Sequence, residues 1–255
     1  MTGAGVLGLI TGSFLNVVVW RVPRSEAVVR PPSHCPVCQH LIAPRDNVPV
    51  LGWLLLRGRC RHCAASISWR YPAVELATAA LFVAMVMRFG LHPVLPAYLY
   101  LAAVGLALSL IDLDVRRLPN ALTLPSYVVG IGLLGLASLA RPGSGSFVRA
   151  LIGMAVLYGF YLLLVFIKPG AMGWGDVKLA GVLGLYLGFL GWGTLVVGAF
   201  AAFLLGGVAG ITLIVTSRAG RKARIPFGPF MIAGALLAVF AGHDIAHWYL
   251  HSTIG

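Results

Sequence analysis

Acidic side chains are scarce in this sequence: seven Asp and Glu stand against nineteen Lys and Arg in 255 residues. Charged residues of both signs make up only 10% of the chain, where soluble domains carry roughly 25%, and 59% of the side chains are hydrophobic. That balance excludes a water-soluble globule and points to an all-α, multi-pass membrane protein. Cysteine is rare as well. The four present fall into two tight pairs, which argues against a disulfide-stapled secreted domain and for a metal site in a reducing compartment. The apolar N-terminus lacks a basic leading region and a small-residue cleavage site, so Gly3 to Trp20 reads as a retained span and not as a removed signal peptide.

What the chain has in quantity is apolar runs. After the first span they fall near 72 to 89, 94 to 113, 121 to 140, 148 to 167, 177 to 190, 192 to 216 and 227 to 250. Most approach the roughly 20 residues needed to cross a bilayer, so about eight transmembrane helices are expected, with 177 to 190 the shortest. Glycine is abundant, as close helix contacts in lipid require, and Gly12, Gly130, Gly132 and Gly135 read as packing positions. Between residues 21 and 71 the composition changes to Arg, Pro and Cys, marking a small insertion. The arginines after the first span put this insertion in the cytoplasm and the N-terminus outside.

On that layout sixteen of the nineteen basic residues fall on the cytoplasmic side, leaving Arg88, Arg141 and Arg149 outside. The formal charge of +12 is then a topology signal and a contact for anionic lipid in the bilayer, and no nucleic-acid partner is expected. The stretch from Arg141 to Phe147 reads as an external turn. Arg218, Arg221, Lys222 and Arg224 read as a topology anchor.

Two short stretches put carboxylates where an apolar chain should avoid them: Ile111-Asp112-Leu113-Asp114, and Gly173-Trp174-Gly175-Asp176-Val177-Lys178. A charge near the bilayer core costs roughly 2.5 to 3.5 kcal/mol even on lenient insertion scales. With two spans between them, Asp112 and Asp176 return to one membrane face. Two carboxylates held close share a proton, which supplies a general base and a general acid together. Water activated by one and a carbonyl polarised by the other is the chemistry of aspartic proteolysis. Gly173 and Gly175 would let an extended substrate backbone approach and leave the start of that span unwound. Two other readings stay open from the residues alone: interfacial acids paired with Arg116, Arg117 and Lys178, or the proton relay of a coupled transporter.

Cys35-Pro36-Val37-Cys38 and Cys60-Arg61-His62-Cys63 are matched C-x-x-C turns, the pattern of a four-thiolate zinc site, and a short insertion with little core needs such a clamp. A redox dithiol would need one such motif, not two. Four thiolates close the shell, so the zinc is expected to be structural, with His34, His40 and His62 outside it. His243, Asp244, His247 and His251 at the C-terminal end are expected to hold no dedicated metal.

These residues together resemble the type IV prepilin peptidase family. The resemblance rests on Gly12-Ser13-Phe14-Leu15-Asn16-Val17-Val18 with Arg21-Val22-Pro23, on Ser33 to Cys38, Asn47-Val48-Pro49, Cys60 to Cys63 and Ile67 to Glu75. It continues through Asp112 with Leu118-Pro119-Asn120 and the stretch from Gly173 to Lys178. His34 stands where many relatives carry Arg. The resemblance implies a membrane aspartic endopeptidase that cleaves the basic leader of prepilins or pseudopilins at the cytoplasmic face of the bacterial inner membrane. It then methylates the new N-terminus from S-adenosyl-L-methionine. It makes Asp112 and Asp176 the catalytic acids; beside them Asp114, Gly173, Gly175 and Lys178 read from their positions as supports for substrate or dyad. Asn16, Asn47, Arg70 and Glu75 become candidates for the methyl transfer, with Glu75 either handling the amine or anchoring Arg70. The domains implied are a first helix at 1–20, a cytoplasmic zinc domain at 21–71 and a peptidase core at 72–255. A peptidase without methyltransferase activity remains the narrower alternative, and oligomeric state is left open.

Overall fold

The computed structural model describes residues 1–140, 146–168, 170, 172–216 and 226–253. Among these residues the regular structure is helical, apart from two isolated bridges, His34 to Leu41 and Arg59 to Ser66. The chain separates into two compact units, Met1–Leu95 and Pro96–Gly255.

The first unit contains α1 (Thr2–Arg21), the short α2 (Leu51–Leu55) and α3 (Arg70–Phe89). Helices α1 and α3 pack directly against each other, and two glycines make this possible. A Cβ on Gly8 would lie 2.5 Å from Ala79 Cα, and one on Gly12 would lie 2.6 Å from Glu75 Cα. Small residues of this kind substitute in lipid for the hydrophobic drive that helix pairs have in water. Arg21 closes α1 by donating from Nη1 to the carbonyls of Ala27 and Val28 at 3.1 and 3.2 Å. Helix α3 therefore keeps company with α1 and the cysteine segment in this unit.

The second unit contains α4 (Leu95–Val115, from Pro96 onward), α5 (Asn120–Ala140), α6 (Ser146–Ile167), α7 (Trp174–Leu190), α8 (Trp192–Thr216) and α9 (Gly228–Thr253). Helix α7 is its centre. Residues Val177 and Leu179 through Gly188 are all buried, and α5, α6, α8 and α9 pack around it. A helix apolar on every face is stable only when enclosed. Side chains from its neighbours also reach its backbone. Tyr98 of α4 donates to the Tyr186 carbonyl at 2.8 Å, and Tyr127 of α5 to that of Lys178 at 2.6 Å. Arg149 of α6 donates from Nε and Nη2 to the carbonyls of Gly188 and Phe189, both at 2.8 Å. Those two carbonyls belong to the last turn of α7, where intrahelical donors run out. Arg149 thus caps a helix, a task its sequence position did not reveal.

Among the described residues, seven helices are long and apolar enough to cross a membrane. The eighth apolar segment expected from the sequence is α7, and its 17 residues span about 25 Å at about 1.5 Å per residue, short of the roughly 30 Å hydrocarbon layer. Its enclosure explains how so short a helix persists. The outer helices show the opposite pattern. On α8, Val196, Phe200, Leu204, Val208, Ile211 and Val215 form an exposed apolar stripe, the surface expected of a helix facing lipid.

Of the four glycines expected to serve packing, Gly12 and Gly130 do. A Cβ on Gly130 would sit 2.8 Å from Leu185. Gly135 makes only ordinary contact with Phe147, and Gly132 faces open space. Ser146 and Phe147, expected in an external turn, already belong to α6. Arg141 to Gly145 and the basic stretch from Arg218 to Arg224 lie outside the described residues.

Candidate active site

Asp112 lies in the last turn of α4, 5% exposed. Its Oδ2 accepts the N–H of Gly228 at 3.0 Å. That amide opens α9, where backbone donors have no helical partner, so the carboxylate of one helix satisfies the start of another. Helix α4 stops just beyond, at Arg116, with a backbone φ of 53°. The chain then turns through Leu118 and Pro119 into α5.

Asp176 lies in the first turn of α7. Its Oδ2 accepts the Gly173 N–H at 3.0 Å, and its own N–H donates to the Gly173 carbonyl at 3.0 Å. This reciprocal pair fixes the start of the helix. An acid here also faces the positive end of the helix dipole.

Leu118 joins these pieces. A Cβ on Gly175 would lie 2.9 Å from Leu118 Cβ. One on Gly228 would lie 3.3 Å from Leu118 Cδ2 and 2.8 Å from Asp112 Oδ2. One leucine side chain therefore touches the glycine before Asp176 and the glycine bonded to Asp112. Both glycines are needed for the approach. The two carboxylates are close enough to interact electrostatically. Tyr161 is buried on α6, and its ring lies 6.4 Å from that of Phe227, the residue before Gly228.

Lys178 donates from Nζ to Asn120 Oδ1 at 2.9 Å, tying the start of α5 to α7. Neither Asp112 nor Asp176 forms an ion pair among the described residues, whereas Arg61 and Asp46 do. Asp114 is exposed, on a different face of α4 from the buried Asp112. Gly173 is exposed as well. The residue that sequence reading missed is Gly228. Its role comes from contact with an aspartate 116 positions away, and only its place between two prolines at a helix start marked it as unusual.

In the first unit the four cysteines converge. The sulfurs of Cys35, Cys38, Cys60 and Cys63 all lie within 4.8 Å of one another, with Cys35 to Cys63 at 3.7 Å and Cys38 to Cys60 at 4.0 Å. Tetrahedral zinc at about 2.3 Å from each sulfur sets them about 3.8 Å apart, so the site fits. Each half is built alike. Cys35 receives the Gln39 N–H and donates to the His40 carbonyl, while Cys60 receives the Ala64 N–H and donates to the Ala65 carbonyl. Gln39 and Ala64 both adopt positive φ.

Backbone amides of Cys38 and Val37 pull the Cys35 thiol down to about 6. Against the Ala65 amide, which lowers it, burial and the other three thiols push Cys63 up to about 12. Binding a cation here would hold all four cysteines as thiolates. His40 and His62 stack with ring centroids 3.6 Å apart. Arg61 grips Asp46 with two hydrogen bonds, of 2.8 and 2.5 Å, and holds that carboxyl below its usual range.

Of the residues expected to serve methyl transfer, Asn16 donates from Nδ2 to the Tyr71 carbonyl at 3.1 Å. Glu75 is buried and accepts the Val50 N–H at 2.7 Å through Oε2. Arg70 opens α3, partly exposed, and Asn47 is exposed after a short 3-10 turn. His243, Asp244, His247 and His251 line an open depression on α9 with Trp248. Among the described residues, the cysteines alone bring three or more such ligands within reach of one ion.

Residues 6–89 match the model of the bacterial peptidase A24 N-terminal domain, and residues 99–211 match that of the type IV leader peptidase family. A protein of Aeromonas hydrophila named prepilin leader peptidase/N-methyltransferase is 38% identical, over 96% of this chain and 92% of its own length. A Bacillus subtilis protein of the same name is 31% identical over 98% of both. A Myxococcus xanthus protein, again of that name, is 42% identical over 85% of this chain, which covers 64% of it. No solved structure matches. Two adjoining family segments and relatives matched nearly end to end leave one conclusion: this chain belongs to the type IV leader peptidase family.

Proposed function

We propose that this protein is a membrane aspartic endopeptidase that removes the leader from prepilin or pseudopilin precursors, with Asp112 and Asp176 as its catalytic pair. The observation that carries the reading is Leu118, in contact with both the Gly175 and the Gly228 positions, because it draws the two acid-bearing segments into one place. One carboxylate takes a proton from water as the oxygen attacks the scissile carbonyl carbon. The other, protonated, donates to the carbonyl oxygen. The tetrahedral diol then collapses as the departing nitrogen takes a proton, giving an amine and a carboxylic acid with no covalent enzyme intermediate. Exposed Gly173, with no side chain, leaves room for an extended substrate backbone beside Asp176, and Asp114 assists the basic leader. Lys178 sets the depth of α7 through Asn120.

The name shared by the relatives supports a second activity, methylation of the new N-terminus. S-adenosyl-L-methionine would supply an electrophilic methyl group, and the transfer is chiefly a matter of holding an unprotonated amine in line with it. Asn16 and Glu75 each bond a backbone group of their own unit, which suits a supporting role better than contact with the donor. Zinc in the four-thiolate site would hold the insertion together and supply no open coordination position. The excess of basic residues on one side of the spans supports an inner-membrane protein with its N-terminus outside and its zinc segment in the cytoplasm.

Purified protein incubated with a pilin precursor and methyl-labelled S-adenosyl-L-methionine tests both activities. A shorter, labelled product is expected. A shorter product without label would remove the methyltransferase, and an uncut precursor would remove the peptidase.

A further inference from the structure

Helix α2 carries its apolar stripe on the outside. Leu51, Leu54 and Leu55 stand at i, i+3 and i+4, which places them on one face, and they are 57%, 55% and 80% exposed. The opposite side does the anchoring. Gly52 packs so closely on the backbone of Asp46 that a Cβ has no room. Trp53 lies against Gly58 and donates from Nε1 to the Ile67 carbonyl at 3.0 Å. A helix of a soluble domain would turn the leucines inward and leave the small residue out.

The height of α2 along α3 is fixed by Glu75. Its Oε2 holds the N–H of Val50, the residue just before α2, at 2.7 Å. Glu75 is five residues into α3, about 7 to 8 Å along the helix axis at about 1.5 Å per residue. Trp69 precedes α3 and is exposed, and near the end of α1 the Arg24 guanidinium sits 3.6 Å above the Trp20 ring. Tryptophans with cationic neighbours at helix ends mark the membrane interface. The start of α2 is therefore held to the membrane side of Trp69, within the roughly 5 to 10 Å at which interfacial helices lie. Arg57 and Arg59, both exposed, follow at once and match the phosphates of anionic headgroups.

We propose that α2 is a lipid-binding element: Leu51, Leu54 and Leu55 insert into the leaflet at which α1 ends and α3 begins, and Arg57 and Arg59 engage anionic headgroups there. Glu75 is then a positioning residue for this contact. The inference stands apart from the peptidase reading.

Photo-crosslinking of the full chain in nanodiscs of phosphatidylethanolamine and phosphatidylglycerol tests it. p-Benzoylphenylalanine in place of Leu54 or Leu55 is expected to yield lipid adducts by mass spectrometry, and so is p-benzoylphenylalanine in place of Leu76, an exposed leucine on α3. In place of Arg45, exposed in the insertion, it should yield none. Absence of lipid adducts at Leu54 and Leu55 while Leu76 labels lipid would overturn the proposal, as would adducts there to another segment or to a second copy of the chain. Glu75→Gln keeps an oxygen to accept the Val50 N–H and should preserve the Leu55 lipid adduct, whereas Glu75→Ala should cut its yield several-fold. Equal yields from the two variants would refute the anchoring by Glu75.

Discussion

Lys178 and Asn120 hold each other across the second unit, Nζ to Oδ1 at 2.9 Å. Asn120 opens α5 directly after Leu118 and Pro119, and Lys178 lies two residues beyond Asp176. The bond therefore sets the start of α7 against the loop that leaves Asp112. A hydrogen bond to a charged group contributes about 1.5 to 3 kcal/mol. Lys178→Met and Asn120→Ala should each lower kcat/KM for precursor cleavage about tenfold, and the double variant should lose no more than either single one, as partners in one contact do. Initial rates on a pilin precursor measure this, and additive losses would separate the two residues.

Gly228 has no room for a side chain, because a Cβ would stand 2.8 Å from Asp112 Oδ2. Gly228→Ala should displace that carboxylate and cut kcat by about 100-fold, the scale of a misplaced reacting group. Gly132→Ala, where nothing lies within 4 Å, should leave the rate unchanged. Cleavage assays on both variants, with matched yields of folded protein, make the comparison.

Asp114 is exposed and belongs to the leader reading. Exposed charge pairs are worth about 0.2 to 1 kcal/mol, so Asp114→Asn should raise KM for a basic leader by about two- to fivefold with kcat kept. The shift should shrink in high salt. Processing at the wild-type KM would end that role.

Zinc removal should act on the first unit. Cys35→Ser takes one of four sulfurs and should abolish stoichiometric zinc, open the segment between α1 and α3 to proteases, and abolish methylation. Metal analysis and limited proteolysis read the first two effects, and methyl label on the product reads the third. Retention of zinc by the variant would contradict the four-thiolate site.

Much of this was legible in the sequence because it is local. Two C-x-x-C turns carry their ligand geometry with them, and long apolar runs declare themselves by length. Helix α7 was harder. The run from 177 to 190 gave its place, but the helix is already wound from Trp174, with Gly175 inside it and Gly173 as its cap, where an unwound start was expected, and its enclosure by four helices follows from packing that periodicity does not encode. Gly228, Arg149 and the bond between Lys178 and Asn120 were out of reach for another reason. Each owes its role to a partner 39 or more positions away, and nothing in the neighbouring residues names that partner. The outward leucines of α2 were not legible either: Leu51, Leu54 and Leu55 stand in a polar insertion, and their exposure follows from how Gly52 and Trp53 are held on the other side.

The joint action of the two aspartates is tested most directly by kinetics on Asp112→Asn, Asp176→Asn and the double variant with one pilin precursor. Groups that work as a unit lose about as much singly as together, so each single variant should fall to the residual rate of the double. Cleavage near the wild-type rate by either single variant would contradict a shared catalytic pair.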